Sequence, residues 1–137
     1  MEFRLTGKVY LSFLLLITSF SSLVEANLKY EVRGIERVSD MFGDAICVSL
    51  YIVNDTKQQY SFNLFSTNAK GDGLSSSPSV FTEKKPAFDP NQRLDAQSKA
   101  RGWLCFDEPE YGWVPEVIEF SEVWGSTFLT VKVKKDN

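Results

Sequence analysis

Ala45-Ile46-Cys47-Val48-Ser49-Leu50-Tyr51-Ile52-Val53 is the stretch on which the fold turns. Its side chains alternate with period two: Ile46, Val48, Leu50 and Ile52 fall on one face, and Cys47, Ser49 and Tyr51 on the other. A helix would scatter those four aliphatics around its circumference, whereas an extended chain lines them up against a core. Asn54-Asp55 follows, and its turn chemistry ends the strand.

The same alternation extends in both directions. Upstream, Tyr30, Val32, Gly34 and Ile35 predict a first strand with a bulge at the glycine. Downstream, residues 60–66 form a third strand with Tyr60, Phe62 and Leu64 turned inward. Residues 68–78 are rich in Gly and Ser and read as a long surface loop. Val80-Phe81-Thr82 pairs briefly before Lys84-Lys85-Pro86 breaks it, and Asp89-Pro90-Asn91 is a turn. Strands follow at residues 100–106, 117–120 and 127–133. No segment of useful length has helical period and no repeat is visible. About seven short antiparallel strands between turns predict an all-β, immunoglobulin-like β-sandwich.

The first 26 residues have a different character. Arg4 and Lys8 precede an apolar block at residues 11–20, and the segment closes on Leu23-Val24-Glu25-Ala26. That layout is a secretory signal peptide cleaved after Ala26, leaving residues 27–137 as a single domain. The apolar block is about ten residues long, too short to span a bilayer. No cysteine near the cleavage point offers an acceptor for a lipid anchor. The expectation is a secreted or periplasmic protein with no stable membrane span once the leader is removed.

Composition narrows the function by exclusion. The 137 residues carry a formal net charge of −3 and no histidine. A mildly acidic chain lacks the basic footprint of a nucleic-acid binder. Without histidine, Ser-His-Asp and Cys-His catalysis and the usual zinc sites are out of reach. Gly71-Asp72-Gly73 has neither the spacing nor the following helix of a phosphate loop. No cofactor is expected. The remaining enzymatic route is a pair of carboxylates acting on a glycoside, drawn from Asp107, Glu108 and Glu110. As oxygen donors the same acids also raise the question of calcium, without the regular spacing of a calcium loop.

Cys47 and Cys105 are the only cysteines. In an exported chain two cysteines most simply form one disulfide. Strand parity turns both thiols away from the core, onto one outer face if their strands are neighbours. A bridge between adjacent strands of one sheet therefore fits better than the inter-sheet bridge of antibody domains. It closes a loop of about sixty residues, worth roughly 3–4 kcal/mol in the chain-entropy model. Trp103 shares the face of Cys105. With Tyr111, Trp113 and Trp124 it makes up the candidate binding surface, since exposed aromatics near acids form protein or sugar contacts. Asn54-Asp55-Thr56 matches the N-glycosylation pattern at a strand end.

Three features give the domain a family likeness: Val48-Ser49-Leu50-Tyr51-Ile52-Val53-Asn54, then Phe62-Asn63-Leu64 running on to Gly71, then Gly102-Trp103-Leu104-Cys105-Phe106 followed by Pro109. In their order and spacing the chain resembles the telokin-like, immunoglobulin-fold domain of unknown function found in many secreted bacterial proteins and lipoproteins. The likeness implies a telokin-like sandwich and supplies no catalytic residues. Two departures stand out. The glycine usual before the Gly-x-Leu-x-Phe strand is replaced around Ala96-Gln97-Ser98, and the lipid-anchor cysteine of many relatives is missing.

The resulting expectation is a non-enzymatic binding module that meets a protein, or in second place a glycan, outside the cytoplasm. Its rivals are an inhibitor of a secreted hydrolase, presenting residues 68–78 to a cleft, and a glycosidase built on Asp107, Glu108 and Glu110.

Overall fold

The computed structural model describes residues 28–133; the leader predicted at residues 1–26 lies outside them. Nine strands occur among the described residues. In chain order they are β1 (Leu28–Asp40), β2 (Gly43–Asn54), β3 (Tyr60–Asn63), β4 (Thr67–Gly71) and β5 (Leu74–Ser76). Then come β6 (Asn91–Leu94), β7 (Ser98–Asp107), β8 (Val117–Ser121) and β9 (Thr127–Lys132). They form sheets ordered β1-β2-β7, β3-β6 and β5-β4-β8-β9, with every strand pairing antiparallel.

The predicted inward face of β2 is the inward face found. Ile46, Val48, Leu50 and Ile52 are buried with Ile118 and Phe120 of β8 and Val131 of β9, in one cluster shared by the sheets. Phe62 of β3 joins it, its ring edge-on to Phe120 at 4.7 Å and to Phe88 at 5.7 Å. Each such side chain contributes about 1.5–3 kcal/mol by leaving water. The architecture is the expected immunoglobulin-like β-sandwich.

The bulge is also where the sequence placed it. The β1–β2 register shifts between Val32 and Gly34. A Cβ on Gly34 would lie 3.3 Å from Cη2 of Trp103, so the glycine makes room for the indole that crosses the sheet.

Four expectations need correction. Residues 68–78 are not a surface loop: most of the segment is the β4–β5 hairpin, closed by Asp72 and Gly73, both with positive φ. That conformation at both turn residues suits a two-residue hairpin. The signal was hidden because the buried residues of β4 are Thr67, Ala69 and Gly71, too small to register as an apolar face. A Cβ on Gly71 would come within 2.9 Å of the Val114 carbonyl, so close backbone approach explains the small side chain. Second, residues 91–94 make a strand, β6, of which only Leu94 is buried. Third, the strand carrying Phe62 stops at Asn63, whose Oδ1 accepts from the amides of Phe65 (2.8 Å) and Ser66 (3.0 Å). Leu64 therefore lies in a turn, only half-buried.

Fourth, residues 80–82 form no strand; they belong to a strap that crosses the outer face of β1-β2-β7. One foot is the Ser79 amide donating to Cys105 O at 2.8 Å, the other the Trp103 amide donating to Pro86 O at 2.9 Å. Between them Thr82 Oγ1 donates to Asp40 at 3.1 Å, and Lys84 Nζ sits 3.1 Å from Glu36. The strap thus starts at β7 and is tied down on β1, across the sheet.

Before β7, Gln97 adopts a φ of 58° without the glycine usual there. Its Nε2 donates to Thr56 O at 3.0 Å, and Ser98 Oγ donates to Asp95 O at 2.6 Å. Side-chain bonds hold a turn that elsewhere relies on glycine.

Candidate functional site

Cys47 and Cys105 are direct cross-strand partners on neighbouring strands, joined at an S–S distance of 2.07 Å. The bridge is on the outer face as parity required, yet it is not exposed. Both cysteines are buried with Ala45, and Val38 and Trp103 pack against them. Lys84 Nζ lies 4.8 Å from the Trp103 ring centroid, so the strap and the indole together roof the disulfide.

The four aromatics proposed as a binding surface do not gather. Trp103 is half-buried over the disulfide. Trp113, at 2% exposure, is a core residue whose Nε1–H donates to Gly71 O at 2.9 Å; it is withdrawn from the candidate surface. Tyr111 is exposed, with Arg37 Cζ 5.7 Å from its ring centroid. Trp124 is fully exposed and lines a different depression, with Phe65.

The acidic loop is tied into the fold. Glu108 has a side chain only 3% exposed, and one of its oxygens meets both Nη2 of Arg37 at 2.5 Å and Nε at 2.6 Å. That carboxylate is therefore committed to an ion pair. Asp107 belongs to β7, where its carbonyl accepts from Ser76 Oγ at 2.6 Å. Among the described residues no group of three or more Asp, Glu or Cys side chains is placed to hold a metal ion.

The glycosylation pattern meets a structural obstacle. Asn54 is wholly buried, and its Nδ2 donates to the carbonyls of Gln58 (2.8 Å), Leu94 (2.9 Å) and Asp95 (3.1 Å). Its Oδ1 accepts from the amide and hydroxyl of Thr56. The asparagine and threonine of the motif are a loop clamp, with no room for a sugar on the folded chain.

Sequence reasoning overlooked one surface altogether. Phe42 at the tip of the β1–β2 hairpin stacks on Phe81 of the strap, centroids 5.0 Å apart, and both rings stay exposed. Met41 and Val80, their sequence neighbours, are exposed as well. The backbone beneath is held firmly. Asp40 accepts from the Phe42 amide (2.8 Å) and from Thr82, and Ser79 Oγ accepts from the amides of Phe81 (3.2 Å) and Thr82 (3.0 Å). A signal was present in Met41-Phe42 between Asp40 and Gly43, two large apolar residues where a hairpin turn is ordinarily polar.

The fold has solved counterparts. The chain is similar to the yjhA protein from Bacillus subtilis, at 14% identity over 85% of this chain and 96% of that one, with a TM-score of 0.56. It is also similar to MPT63, a secreted protein from Mycobacterium tuberculosis, at 13% identity over 77% of this chain and 82% of that one, with a TM-score of 0.51. At such identities the likeness concerns the fold. No protein-family model matches the sequence, and no curated protein does.

Proposed function

We propose that the chain is an exported, non-enzymatic binding module with a telokin-like sandwich, and that it meets a protein partner through the Phe42–Phe81 end. The stacked pair at 5.0 Å carries this reading. Beyond the stack itself, four exposed apolar side chains at one end gain little for the isolated fold, and rigid aromatic anchors dominate protein interfaces. Because Asp40 and Ser79 already fix the backbone, little ordering remains to oppose association. A partner adding a strand to β1 is a weaker option. Lys29, Glu31, Arg33, Glu36 and Arg37 line that strand, and charges discourage edge pairing. Export is supported by the leader-like segment and by a buried disulfide, which persists in an oxidising compartment.

Phe42→Ser/Phe81→Ser tests the contact. The tagged wild-type domain, incubated in the secreted fluid of its own host, captures a defined protein that the double variant does not, while both melt at the same temperature. Equal capture by the two proteins, or none by the wild type, overturns the reading. The non-enzymatic part fails if the wild type releases sugar from a glycan and Asp107→Asn/Glu108→Gln/Glu110→Gln does not.

A further inference from the structure

The depression between the β3–β4 and β8–β9 turns is open to solvent, with a volume of about 460 Å³, and is lined by Phe65 and Trp124 together with Asn68, Ser77, Ser121 and Glu122. We propose that it binds a neutral carbohydrate chain, the two rings stacking on sugar faces and the polar floor taking the hydroxyls. This inference is independent of the Phe42–Phe81 contact and rests on other residues.

The first ground is the cost of presenting the rings. Trp124 is fully exposed and has a φ of 61°. Side chains other than Asn and Asp enter that backbone region at a cost, and strain of this kind clusters at ligand sites. Among the described residues the indole covers no neighbour that would recover the cost. The turn is nonetheless fixed: the Gly125 amide donates to Glu122 O at 2.9 Å, and a Cβ on Gly125 would meet Glu122 Cβ at 2.8 Å. Phe65 is similarly exposed, on the turn that Asn63 ties. The two turns are joined directly by the Ser121 amide donating to Ser66 O at 2.9 Å. The backbone segments that carry the two aromatics are therefore tied to one another, and both rings stand free in solvent beside one depression.

The second ground is the chemistry of the floor. The amide of Asn68 and the hydroxyl of Ser77 bond to no other described residue, leaving donors and acceptors of both kinds on offer. A sugar carries the matching set on its edge and apolar C–H groups on its face. Charge narrows the class further. Among the described residues no cation lines the depression, and the one charged group there, Glu122, has its carboxylate engaged by the amide and hydroxyl of Ser61 at 3.2 Å and 3.1 Å. An acidic ligand would meet a carboxylate and no counter-charge; a neutral one meets no penalty. A protein contact favours apolar side chains gathered side by side, as Phe42 and Phe81 are at the other surface.

The test is titration of the full exported chain with cellohexaose, chitohexaose, maltohexaose and mannohexaose, followed by tryptophan emission and calorimetry. At least one probe should saturate the protein and shift the emission to the blue. Trp124→Asn, chosen because asparagine tolerates a positive φ, should weaken that binding by about tenfold or more. Phe65→Ser should weaken it less, and neither should lower the melting temperature. No saturable response to any of the four probes overturns the proposal. So does binding that survives in Trp124→Asn/Phe65→Ser, or a preference for heparin over every neutral chain.

Discussion

Asn54 at the end of β2 and Leu94 at the end of β6, forty residues apart in sequence, are joined by a buried hydrogen bond of 2.9 Å from Nδ2 to the carbonyl. The same amide serves two further carbonyls, so one side chain closes the loops at this end of the sandwich.

Asn54→Ala strips the donor from three carbonyls, of which that of Leu94 is shut away from water and the other two are partly so. Leaving buried polar groups unmade costs about 1–3 kcal/mol each, and partial relaxation toward solvent keeps the total at roughly 2–4 kcal/mol. Urea unfolding measures it. Asn54→Asp should be worse, since a carboxylate would face those carbonyls. Expressed in a glycosylating host, the folded protein should carry no sugar at Asn54 by intact mass.

Removing the disulfide with Cys47→Ala/Cys105→Ala should lower stability by about 3–4 kcal/mol, because a cross-link 58 residues apart restricts the unfolded chain. Under native conditions reductant should open the bridge slowly, since Trp103 and the strap cover it. Thr82→Val/Lys84→Ala removes the strap's ties to β1 and should speed that reaction, followed by thiol labelling. An unchanged rate would mean that the strap does not govern access.

Gly102→Ala should cost about 2–3 kcal/mol, because its Cβ would lie 2.7 Å from the Phe88 amide nitrogen and 3.0 Å from the Ala87 carbonyl carbon. Backbone must move to admit it. Gly34→Ala should cost less than about 1 kcal/mol, since the atom it approaches is the far end of an indole at 3.3 Å. Thermal melts of the pair, read side by side, check the ranking.

The Arg37–Glu108 pair should respond asymmetrically. Arg37→Ala leaves a carboxylate with a side chain 3% exposed and no partner, a loss of about 2 kcal/mol. Glu108→Gln leaves an arginine 34% exposed, which water can solvate, and should cost under about 1 kcal/mol. Equal losses in denaturant unfolding would show that Glu108 gains its own water when released.

Trp113→Phe removes the indole donor to Gly71 O while keeping an aromatic ring, and should cost about 1–2 kcal/mol. It should also delete the most blue-shifted component of the tryptophan emission, since Trp113 is the most buried of the three. A red-shifted component lost instead would place Trp113 at the surface.

The legible parts of this molecule were those where large apolar residues alternate. β2, β7, β8 and β9 announce themselves because Ile46, Leu50, Leu104, Phe120 and Val131 repeat at period two against polar neighbours. The strands that escaped notice, β4, β5 and β6, bury among them only Thr67, Ala69, Gly71 and Leu94, too little apolar area to mark a face. The site was less legible still. Trp124 could be singled out as an aromatic near acids, but its partner Phe65 reads as part of a strand until Asn63 is seen to end it.

Sequence alone determined what depends on neighbours along the chain: the pleated inward face of β2, the bulge at Gly34 and the shared face of the two thiols. Parity and turn chemistry are local, so they survive without a structure. Only the tertiary structure decided which aromatics are wet. Trp113 is inside and Trp124 outside although both are tryptophan in turn-rich segments, because exposure depends on what the rest of the chain lays over a side chain. The strap over the disulfide and the Phe42–Phe81 stack are of that kind, made by segments about forty residues apart that only folding brings together.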